Sequence, residues 1–160
     1  MPHPSLGLPP RDNRAGFPGD AGALRSSRLR TAAGALEAAI HEDPTLRERH
    51  TDIVLRNLLA DLEAMTEALA TSIGANDPRH LARWADMVAV RYRKRAIPLD
   101  DVIQLLNGLR HASASIVEPE AMSSVDAAID AAIVVLRDFR RLAGDARKRH
   151  PLLAFIYKGA

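Results

Sequence analysis

Apolar residues recur at intervals of three and four along most of the chain, the spacing that lines one face of an α-helix. The first such stretch runs from Ala23 to His41, with Leu24, Leu29, Leu36 and Ile40 set among alanines. A second is predicted from Pro44 to Ile73, where Leu55, Leu58, Leu62, Met65, Leu69 and Ile73 form one stripe that Leu59 thickens. The mostly polar run from Leu46 to Ile53 leaves room for a break near His50. A third helix carries Leu81, Trp84, Val88 and Tyr92 on one side, with Met87 beside them, and ends in the basic run Arg91 to Arg95. The fourth starts at Ile97-Pro98-Leu99-Asp100-Asp101 and turns Leu99, Val102, Ile103, Leu106, Leu109 and Ile116 inward. The fifth, roughly Glu120 to Ala143, sets Met122, Val125, Ile129, Ala132, Ile133, Leu136, Phe139 and Ala143 in a stripe. No stretch alternates with the two-residue period of a strand, so the pattern predicts an all-α fold of five to six helices.

Punctuation supports these boundaries. Asp43-Pro44 and Asp77-Pro78 each offer a capping carboxylate followed by a proline whose missing N–H costs nothing in a first turn. Gly74 and Gly144 stand where a helix C-terminus accepts a left-handed residue, and Glu118-Pro119 closes the fourth helix. Residues 1–22 hold five of the ten prolines and four of the nine glycines without any hydrophobic period. They are expected to form a disordered leader, followed by a single helical domain over 23–160. The last stretch, 145–160, is basic and then apolar. Leu152, Leu153, Phe155, Ile156 and Tyr157 crowd six positions, too many for one face of a surface helix. This segment is read as one that closes the core or docks on a second copy or a partner.

Composition narrows the function. Aromatics make up only 4% of the chain, so the core must be built from Ala, Leu, Ile and Val at close helix spacing. The absence of cysteine removes disulfides, thiolate nucleophiles and Cys-ligated metals together. No apolar run approaches the ~20 residues a membrane span needs, and the N-terminus lacks the apolar core of a secretory signal. A cytoplasmic location is the expectation. The net charge of +2 is too small to imply a polyanionic partner.

Candidate chemistry is sparse. There is no P-loop, nucleophile elbow, dinucleotide glycine fingerprint or HExxH pattern, so the chain is not read as an enzyme. No two of its six histidines stand three or four apart, which gives no helical turn a paired metal site. Neither a metal nor a cofactor is expected. Trp84 and Tyr92, two turns apart, and His111 are the candidates for the wall of a ligand pocket. Glu63/Glu67 and Asp126/Asp130 are i,i+4 pairs on polar faces, and Asp100-Asp101 suits the positive end of a helix. Two basic clusters remain, Arg91 to Arg95 and Arg137 to Arg149, each ending a helix where cations are favoured.

The run from Trp84 to Arg110 resembles the N-terminal sensor domain of RsbR-type stressosome proteins. The likeness lies in a helix, the junction Arg95-Ala96-Ile97-Pro98-Leu99, and a following apolar helix bearing Arg110. Alanine at Ala96 departs from the family's junction glycine. The resemblance implies a globin-like bundle that usually lacks haem, homodimerises and passes a signal to a regulatory partner protein. It transfers no catalytic residue. A sensory or regulatory domain acting by association is therefore the leading expectation. The alternatives are a globin-like protein holding haem, another tetrapyrrole or a fatty acid, and a nucleic-acid-associated protein.

Overall fold

The computed structural model describes residues 15–145, and every regular element in them is helical. In chain order these are α1 (Pro18–Ser26), α2 (Arg28–Glu42), α3 (Thr45–Arg49), α4 (Asp52–Gly74), α5 (Arg79–Lys94), α6 (Leu99–Ser113), a 3-10 turn (Pro119–Ala121) and α7 (Met122–Ala143). No helix among them is long and apolar enough to cross a membrane.

Seven α-helices replace the five to six expected, because two of the stretches are broken by their polar residues. At Ser27 the hydroxyl takes the Ala23 carbonyl at 2.6 Å, and the backbone leaves the helical region for one residue. At His50 the chain is extended, and Thr51 starts α4 by accepting the Val54 amide. The first helix begins inside the expected leader of residues 1–22. Pro18 enters α1 at its first turn, and Ala21 and Leu24 are fully buried. Glycine content concealed this helix: a Cβ on Gly16 would lie 2.0 Å from the Gly74 carbonyl oxygen, so the close approach needs glycine there. That approach lets the Phe17 amide donate to Ile73 O at 2.9 Å and seal the end of α4. Residues 1–14, and the apolar run of the tail, lie outside the described residues.

The helix ends show one further correction. Gly74 is still helical, and Asn76 adopts the left-handed conformation instead, at φ 49°. Asp77 N then donates to Ser72 O and Asn76 N to Ile73 O, the paired bonds of a Schellman cap. The same device ends α5. Ile97 N reaches Tyr92 O, Ala96 N reaches Arg93 O, and Ala96 is left-handed at φ 55°. An alanine thus occupies the position where glycine is free of steric cost. Gly144, at φ 77°, does end α7 as expected.

The helices close into a ring in the order α2–α4–α5–α7–α6 and back to α2, with α1 extending α2 along α4. Most neighbours are antiparallel. Arg25 reaches Glu67 while Phe17 meets Ile73, and Ser72 accepts the Leu81 amide while Arg95 reaches Asp61. Arg110 and Arg140 pair with α7 and α6 at opposite ends of that couple. The exception is α5 with α7, which run parallel. Asn76 and Ser124 join their N-terminal ends, and Asp145 returns to Leu99 beyond the other.

Helix α6 is the inner element, buried at Leu99, Asp101, Val102, Ile103, Leu105, Leu106, Gly108, Leu109 and Ser113. The stripes of α4 and α7 are buried much as their periodicity predicts. On α5, Ala85 and Ala89 line the core, Trp84 is half-buried and Met87 is exposed. Ile116 falls beyond the end of α6 and is only partly covered.

The contact between α2 and α6 is also one between backbones. A Cβ on Gly108 would lie 2.1 Å from the Ala35 carbonyl oxygen of α2. Helix propensity favours alanine over glycine by about 1 kcal/mol, but a clash with backbone cannot rotate away, and overpacking costs about 1–3 kcal/mol. Gly108→Ala is therefore expected to lower stability in urea unfolding, and Gly108→Leu to lower it further. Gly22→Ala, with open space around it, should gain a few tenths of a kcal/mol to about 1. Ala96→Gly removes a left-handed alanine and is expected to raise stability by roughly 0.5–1 kcal/mol. A fall in the unfolding midpoint would contradict the strain assigned to that corner.

Candidate functional site

Asp101 lies in the first turn of α6, in phase with Leu105 and Gly108, so the helix turns it inward. Its side chain is 1% exposed. Burial alone pushes its carboxyl up, but hydrogen bonds from His50 and Arg49, both at 2.7 Å, with the Arg49 charge, outweigh this and hold it below the ordinary range. Arg49 also donates to Asp43 at 2.9 Å. Asp43 is held down to about 2, first by Thr45 and then by Arg49. One buried carboxylate thus ties α6 to the α2–α3 corner and to the break before α4. Asp100 and Asp101 both lie in the first turn of α6, as expected, but neither caps its backbone. Asp145 accepts the Leu99 amide at 2.9 and 3.1 Å, while Asp100 pairs with Arg140.

A concavity lies where α2 and α6 cross. It is an open groove of about 1310 Å3. Gly34, Ala38, Gly108 and Ala112 lie along it, and Arg30, Glu37, His41 and Glu42 of α2 stand opposite Gln104, Asn107 and His111 of α6. At one end Arg110 pairs with Asp130 and, at 3.6 Å, with Asp126, while its Nε is buried without a partner. The i,i+4 acids of the fifth sequence stripe thus have a shared cation across the helix interface.

The three pocket candidates do not meet. His111 is exposed on the rim of this groove, whose lining includes neither Trp84 nor Tyr92. Tyr92 is 1% exposed and packed in the core. Burial first, then the Asp61 carboxylate facing it, pushes its phenol well above the ordinary value. The Arg95 guanidinium lies 5.9 Å from its ring centre. Leu152, Leu153, Phe155, Ile156 and Tyr157 lie outside the described residues. Among the described residues no three metal-ligating side chains converge.

Sequence reasoning missed Arg49, His50 and Asp101 as a group. The available signal was an acid in register with Leu105 and Gly108, three and four residues apart, together with a polar interruption between two helices. No protein-family model matches the chain, and no curated protein matches it significantly.

A carboxyl depressed on folding contributes stability that is complete above its unfolded value, near 3.9, and is lost as the pH falls toward its folded value. Asp43 and Asp101 both have this sign. Stability is expected to decline from about pH 4 toward pH 2, and Asp101→Asn should flatten that decline. The same substitution removes the charge from a buried pair and should cost about 3 kcal/mol at pH 7. Urea unfolding of both chains across this range checks the pair; equal acid limbs would contradict it.

Proposed function

We propose that the chain is a non-enzymatic sensory or regulatory domain that works by association, forming a homodimer through the α2–α6 face and binding a partner protein elsewhere. A globin-like reading of the helical ring belongs to the same proposal and rests on the resemblance of Trp84 to Arg110 to RsbR-type sensor domains. The observation that carries the dimer is the charge order along the open groove. Arg30 stands near the start of α2, Glu37 past its middle and Glu42 at its end. None of the three makes an ion pair among the described residues. A second copy laid antiparallel on this face sets Arg30 against the glutamates of its mate, and two-fold symmetry makes each such contact twice. His111 lies on the same face and becomes a contact residue in this reading.

Native mass spectrometry of the whole chain is expected to give a dimer of bare polypeptide. Arg30→Glu should weaken it about tenfold or more, since like charges then face each other. Adding Glu37→Arg and Glu42→Arg should restore it. A monomer at every concentration, or a dimer indifferent to these exchanges, would overturn the assignment. A stoichiometric bound small molecule would replace it with a ligand-binding protein.

A further inference from the structure

The outward side of α5 combines two properties that its position in the fold does not require. Over its sixteen residues the helix carries Arg79, Arg83, Arg91, Arg93 and Lys94, with Asp86 its only acid. Arg79 is tied to Asp77. The other four cations make no ion pair among the described residues. A helix C-terminus accounts for Arg91, Arg93 and Lys94, since cations face the negative end of the macrodipole there. It does not account for Arg83, which lies near the opposite end.

Spacing sets Arg83 and Lys94 on one stripe with two apolar residues. Positions 83, 87, 90 and 94 follow one another at three or four residues, the repeat of a helix face. Met87 and Val90, at its centre, are 62% and 44% exposed. Half-buried Trp84 lies one turn before Met87. The parallel course of α7 brings a second cationic C-terminus to the same end, with exposed Arg137 and Arg141. Arg137 and Arg141 are thus brought to the same end of the bundle as cations more than forty residues earlier in the chain.

We infer that this α5 face docks an acidic, amphipathic helical segment of a partner protein. This deepens the proposed function, supplying the partner surface that it leaves unassigned. Apolar anchors on the segment cover Met87 and Val90, while flanking carboxylates meet Arg83, Arg91 and Lys94. A second copy is disfavoured here, because an isologous contact would place these cations against themselves. A nucleic acid would use the cations but leave Met87 and Val90 with nothing to cover them.

The test uses the full chain and a synthetic sixteen-residue helix with Leu at i, i+3, i+4 and i+7 and Glu at most other positions. Trp84 is the chain's one tryptophan, so its fluorescence reports directly from the face. Saturable binding that weakens roughly tenfold in each of Arg83→Glu and Met87→Glu supports the docking face. Retained helical circular dichroism in both variants shows that the fold is intact. Equal binding of a control peptide with every Leu replaced by Ser would reduce the contact to charge attraction and overturn the proposal. So would binding to anionic vesicles or to a twenty-base-pair DNA that survives Met87→Glu, and so would no binding of the acidic helix. Native mass spectrometry of the α5 variants keeps the two readings apart. Their dimer should persist, and Arg30→Glu should leave peptide binding unchanged.

Discussion

The interior position of α6 is the constraint on which the other helices depend. It is covered by α2 on one side and α7 on the other, and the charged groups it carries inward are met by neighbours. Asp101 meets Arg49 and His50, the Leu99 amide meets Asp145, and Arg110 meets Asp126 and Asp130. These contacts reach both the short α3 corner and the end of α7. Removing water from a carboxylate is expensive, and only paired charges offset that cost. The position of α3, which has little apolar surface of its own beyond Leu46, follows from that requirement more than from packing.

The ring also gives the molecule two sides of different character. Between α2 and α6 the surface is concave, bordered by both signs of charge and built from small residues. Across the bundle, α5 and the end of α7 present cations around exposed apolar side chains. A surface of mixed sign is suited to its own rotated copy, and a surface of one sign to a partner of the other. Association with two kinds of partner is therefore compatible with a domain of this size without either contact obstructing the other.

Periodicity made the long elements legible. The stripes over α4, α6 and α7 were readable because leucine, isoleucine and valine occur there at strict helical spacing, and the resulting faces are the buried ones. Short-range effects were less visible. The break at Ser27 falls where two serine hydroxyls gather on one carbonyl, and α1 was hidden by glycines that read as disorder but serve a backbone contact with α4. Gly74 and Asn76 show the same limit, since either suits a helix end and only the path of the following chain decides between them. The buried carboxylate was the hardest to find. A doublet of aspartates at a helix start has an adequate local explanation, and what sets Asp101 apart from Asp100 is a neighbour fifty residues away. The groove and the two faces depend on which helices become adjacent, and no local pattern encodes that.

Because α5 and α7 run parallel, no tight turn can connect them, and the chain has to lay α6 back along the bundle before they meet. The loop closed by the Asn76–Ser124 contact spans 48 residues. Closing it costs chain entropy before any of the small-residue packing around Ala85 and Ala89 is gained. By closure length this seam ranks behind the α4–α5 corner, whose partners are neighbours in sequence. Interactions that form after the barrier act mainly on the rate of unfolding. A seam of this kind, where it closes after the barrier, sets how long the folded state lasts more than how quickly it is reached.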